Sequence, residues 1–109
     1  MSIDVEELLE GMLIAAKEVF DEDWPDTKEY AETELKGIAE GIALVERLRI
    51  QGKISQKQAK SLIKMKAKTA EIVLLTSEGL GIIVVESAIN AAIKSVQDTV
   101  NNALDFRLI

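Results

Sequence analysis

The chain contains no cysteine and no histidine. Without cysteine there can be no disulfide, no thiolate metal site and no thiol nucleophile. Without histidine the commonest general base and transition-metal ligand are missing, and so is any triad that needs an imidazole. Ser77, Ser87 and Ser95 therefore have no such base to activate them. The paired Glu-x-x-His motifs of ferritin-like di-iron bundles cannot be built either. Aromatic residues make up 4% of the sequence, too few to interleave with bases as stacking platforms for nucleic acid. Gly79-Leu80-Gly81 has no strand pattern before it and no Gly-Lys-Ser or Gly-Lys-Thr after it, so it does not read as a phosphate cradle. No basic, apolar and small-residue succession of the kind that marks a cleavable secretion signal opens the chain. A cytoplasmic or otherwise intracellular setting is expected, with no metal and no cofactor.

Charge is present but segregated. Residues 1–46 hold fourteen acids against three lysines, residues 47–68 hold eight bases and no acid, and residues 69–109 hold five acids against Lys94 and Arg107. The formal total of −6 opposes non-specific attraction to nucleic acid or anionic lipid. The basic middle could still contact phosphates, so a basic-helix module remains an alternative. In an up-and-down bundle the start of the first helix lies beside the 52–55 turn. Asp4, Glu6, Glu7 and Glu10 would then face Arg49, Lys53 and Lys57, balancing the pattern internally or against another subunit.

The dominant apolar run is Ile72–Ile93, in which fourteen residues are Ala, Val, Ile or Leu and only Glu78 and Glu86 are charged. At about 100° per residue, Ile72 to Leu75 point in four directions and Ile82 to Val85 do so again. Such a stretch has to be surrounded. A membrane span is disfavoured by Glu78, Glu86 and Asn90, because a carboxylate at mid-membrane costs several kcal/mol. The two glutamates lie within ~80° of each other on an unbroken helix and could share one polar edge.

Helical periodicity organises the remainder. Residues 3–20 carry Val5, Leu8, Leu9, Met12, Leu13, Ala16 and Phe20 at three- and four-residue steps, with Ser2 or Asp4 as the cap. The acidic run 21–26 ends this helix, and Pro25, the single proline, suits the first turn of the next, over 25–51, with Gly52 capping its end. The second helix is apolar on most sides. Gly37 and Gly41 cost roughly 1 kcal/mol each against alanine, so a second backbone is expected to approach there, within the domain or between subunits. Ser55 and Gln58 form a capping-box signature that opens a third helix over 55–78, with Lys57, Lys60, Lys64 and Lys68 outward. A break near Gly79 or Gly81 leads to a fourth helix over 81–104, although one continuous helix from Ser55 to Leu104 is the alternative. Asn90, Lys94, Gln97, Asp98 and Asn101 read as its solvent face.

Two acidic clusters invite chemistry. Glu6, Glu7 and Glu10, at i, i+1 and i+4, resemble the Mg²⁺-binding carboxylates of all-α nucleoside-triphosphate pyrophosphohydrolases. That resemblance implies a second acidic pair facing the first, and folding back at residues 23–24 would put Glu7 beside Glu40 but Glu10 beside Gly37. Glu18, Asp21, Glu22, Asp23, Asp26 and Glu29 crowd the first turn without the spacing of a calcium loop. Trp24 reads either as a partner anchor or as a side chain packed over the end of its own bundle.

The sequence thus predicts an all-α protein of one domain, an antiparallel bundle of three to four helices completed by oligomerisation. The expected function is non-enzymatic: a structural, scaffold or adaptor subunit of a homo-oligomer or of a larger assembly with other protein subunits. Gly37, Gly41, Leu74, Leu75, Leu80, Ile82, Ile83, Val84 and Val85 are the expected oligomer interface. Arg47, Arg49, Lys53, Lys57, Lys60, Lys64 and Lys68 are the expected basic contact surface. A Mg²⁺-dependent nucleotide hydrolase, a nucleic-acid-binding module and a membrane-associated module are the alternatives.

Overall fold

The structure, a computed structural model, describes residues 3–77 and 79–109, so Ser2 as a cap and the placement of Glu78 lie outside it. Among the described residues all regular structure is helical: α1 (Val5–Phe20), a 3₁₀ turn (Asp21–Asp23), α2 (Trp24–Ile50), α3 (Gln56–Leu75) and α4 (Ile82–Leu104). The molecule is elongated, with extents of 43 × 21 × 18 Å.

Local chemistry sets most of the helix ends. The Asp4 side chain accepts hydrogen bonds from the Glu6 and Glu7 amides at 2.9 and 3.3 Å, satisfying donors that the first turn would otherwise leave free. At the end of α1 the chain reverses through Asp21, whose φ of 49° and ψ of −110° suit glycine better than a side chain. Pro25 sits in the first turn of α2. The Trp24 ring stacks on Phe20 at 6.3 Å between centroids and is half-buried against the core, so it closes this corner of its own bundle.

Helix α2 ends in a Schellman motif. The Lys53 amide donates to the Leu48 carbonyl at 2.8 Å and the Gly52 amide to Arg49 at 3.1 Å, with Gly52 at φ +68°. Three residues later Ser55 and Gln58 exchange the two bonds of a capping box, at 3.0 and 2.9 Å. Helix α3 stops at Leu75 and α4 begins after Gly81, so residues 55–104 form two helices and not one.

Helices α2 and α4 each touch the other three: the broadest contact is that of α1 with α4, α1 and α3 both pack on α2, and α2 meets α4 only narrowly. Leu35, Ile38, Ile42 and Val45 from α2 meet Leu8, Met12 and Phe20 from α1, Ile63 and Leu74 from α3, and Val85, Ile89 and Val100 from α4 in one continuous core. One hydrogen bond and one cation–ring contact link chain-distant parts at the end where α2 stops. Glu46, buried in the last turns of α2, accepts from the Ile3 amide at 2.9 Å. Arg49 donates to the Ile54 carbonyl at 3.0 Å and lies 5.2 Å from the centroid of the Phe106 ring.

Two substitutions test the strained and unsatisfied points of this core. Asp21→Gly removes the steric cost of the reversal and should raise stability by about 1 kcal/mol, measured by thermal or urea unfolding. Thr27 is fully buried and its hydroxyl has no partner. Thr27→Val should therefore stabilise by about 1 kcal/mol, and a lower melting temperature would count against this account of the site.

Candidate functional site

The acidic start of α1 does not assemble into a metal site. Glu6, Glu7, Glu10 and Glu40 are all exposed, and among the described residues no group of three or more acids could hold an ion. Nor do these acids pair with the basic middle. The ion pairs found among the described residues are Lys28–Glu32 at 3.8 Å and Lys68–Glu71 at 3.5 Å, both within one helix. Arg49 donates to Ile54, lies over Phe106 and is half-buried, so it differs from the other bases of the expected contact surface. Arg47, Lys53, Lys57, Lys60, Lys64 and Lys68 remain exposed.

The two glycines of α2 differ. A Cβ on Gly41 would meet the Cδ and Cε of Lys66 at 2.8 and 3.0 Å, so the close neighbour is the aliphatic stem of a lysine from α3 and not a backbone. A Cβ on Gly37 would meet nothing within 4 Å. Gly37 lines a small cleft of about 210 Å³ between α2 and α3, with Leu62 and Met65 opposite. Those same two residues continue into an open groove of about 610 Å³, walled by Leu44, Leu48 and Ile54 and edged by Lys53 and Lys57. Met65, 69% exposed, stands over both. The alternation of lysines along α3 hid this groove in the sequence; Met65 among them was the one available signal.

The apolar run is divided by the break between α3 and α4. Leu74 and Val85 are fully buried in the chain's own core, so they are not interface residues available to another copy. Leu80 and Val84 are partly buried against the same core. Ile72, Leu75, Ile82 and Ile83, the residues flanking the 76–81 connection, are exposed, Ile83 at 76%. The expectation that the whole stretch is surrounded therefore fails within one chain. Beside this apolar end lies the acidic corner: Asp26 shares a cleft with Thr76 and Ser77, and Asp21, Glu22 and Asp23 are exposed. Glu86, one member of the expected polar edge, is half-buried on α4. No helix of the described residues is long and apolar enough to cross a membrane.

A third feature was not legible. After Leu104 the chain turns at Asp105, φ 59°, and residues 106–109 fold back along α4. The Asn101 side chain donates to the Ile109 carbonyl at 2.9 Å and accepts from the amides of Leu108 and Ile109 at 2.9 and 3.1 Å. Gln97 donates to the same carbonyl at 3.0 Å. Leu108 is buried as a result, and with Arg107 it walls a groove of about 540 Å³ between α3 and α4 that Lys60, Lys64 and Lys68 also line. Asn101 and Gln97 therefore do not serve as solvent face.

Asn101→Ala should release this segment, lowering stability by about 1–3 kcal/mol and exposing the amides of Leu108 and Ile109 to rapid hydrogen exchange, while Asn90→Ala, on the exposed side of α4, should do neither. No protein-family model matches the chain, and no curated protein or solved structure matches it.

Proposed function

We propose that the chain is a non-enzymatic structural or adaptor subunit that works inside the cell as a homo-oligomer, with its four helices running in alternating directions. The alternating course is supported by Ile3, ahead of α1, bonding to Glu46 near the end of α2, and by Ile3 and Asp4 sharing a cleft with Thr99 and Ala103 near the end of α4. The subunit reading rests on the exposed apolar end. Ile72, Ile82 and Ile83 are more than half exposed and Leu75 is 36% exposed, so covering them recovers part of the ~1.5–3 kcal/mol that burying a fully exposed side chain of this kind gains. Large apolar side chains left in water on both sides of one connection favour contact with another macromolecule. The composition, without cysteine or histidine, favours a binding role over chemistry.

Sedimentation or native mass at micromolar concentration should give a species heavier than the 12.0 kDa chain. Ile83→Asp, at an exposed position, should dissociate that species with an unchanged helical circular-dichroism spectrum. A wild-type monomer, or an oligomer indifferent to Ile83→Asp, would sink the reading.

A further inference from the structure

The exposed surfaces of the chain are of two electrical kinds. At the apolar end flanking residues 76–81, Asp26 shares a cleft with Thr76 and Ser77, the exposed Asp21, Glu22 and Asp23 precede it within one turn of chain, and Lys28, the nearest base along α2, is already paired with Glu32. The α2–α3 groove, walled by Leu44, Leu48, Ile54 and Leu62, is edged by Lys53 and Lys57, which have no acidic partner within 4 Å among the described residues. The groove lies toward the 52–55 turn, at the other end of α3 from the apolar end. Two copies meeting through their apolar ends would bring two sets of carboxylates together, and like charges across a contact are costly. An apolar end meeting a groove instead places acids against lysines and isoleucines against leucines.

We infer that a second copy of this chain docks its apolar, acidic end, led by Ile82 and Ile83, into the α2–α3 groove of the first, in a head-to-tail contact. This rests on the reading of the chain as a self-assembling subunit and specifies which surfaces meet. A head-to-tail contact uses different patches on the two copies, so it propagates into a ring or a filament and does not stop at a pair.

Complementation between two disabled variants tests this. Ile83→Asp disables the end and Met65→Asp the groove; both positions are exposed, so both variants should keep the wild-type melting temperature. Each alone should weaken self-association by roughly thirtyfold or more and sediment as a monomer. Mixed in equal amounts they should form a 1:1 species of twice the 12.0 kDa chain mass, since one intact end and one intact groove remain. Lys53→Glu with Lys57→Glu should abolish that species, and Asp23→Lys with Asp26→Lys on the groove-disabled variant should restore it. Association of Met65→Asp at wild-type strength, or a mixture that stays monomeric, overturns the head-to-tail contact while leaving self-assembly through the apolar end standing. A wild-type monomer, or an oligomer insensitive to Ile83→Asp, overturns both.

Discussion

Covering α2 is the constraint from which the architecture follows. Its buried positions cover about half of its circumference at ~100° per residue, from Gly41 through Val45, Ile38, Ile42 and Leu35 to Ala39 and Ala43. One neighbouring helix hides little more than a stripe, so α1 and α3 both pack on it, and α4, which touches α1, α3 and more narrowly α2, closes the remaining side. Helix α4 contributes both large and small residues to this cover, Val85, Ile89 and Val100 alternating with Ala88 and Ala92, all buried. The consequence appears at the α3–α4 seam. There the alternation of alanine and lysine along α3 leaves a groove, and residues 106–109 fold back as one wall of it.

Electrostatics follows the same division. An acidic front and a basic middle in one chain suggest internal neutralisation, yet the bundle separates them: α1 presents its glutamates to water, and α3 presents its lysines elsewhere. Surface pairs contribute little even when formed. The folded state therefore loses little by leaving these charges unpaired, and they remain available to bias how copies approach one another.

What could be read from the sequence was local. Asp4 caps α1, and Ser55 with Gln58 caps α3, because the partners are two or three residues away and need no tertiary context. The periodic stripes of α1 and α4 were legible for the same reason. The point at which α3 stops was less so, since Ile72–Leu75 and Ile82–Val85 look alike and differ only in which side of the bundle they meet: Leu74 and Val85 turn inward, and Ile72 and Ile83 do not. Gly37 and Gly41 carry the same residue one turn apart, but the crossing of α3 sets Lys66 over one and nothing over the other. Glu46 is a charged residue in the apolar face of α2, and its partner, the Ile3 amide, is 43 residues away in the chain, so nothing near it in the sequence signals it. Asn101 looked like solvent face, because nothing local announces that a chain terminus returns to it.

The first and last helices, α1 and α4, lie against each other, with Gly11 in ordinary contact with Val96. Pairings between such distant segments close the longest loops and form late, whereas the short turns between successive helices form early. Completion of the core is thereby tied to α4, which brings Val85, Ala88, Ile89, Ala92, Val96 and Val100 into it.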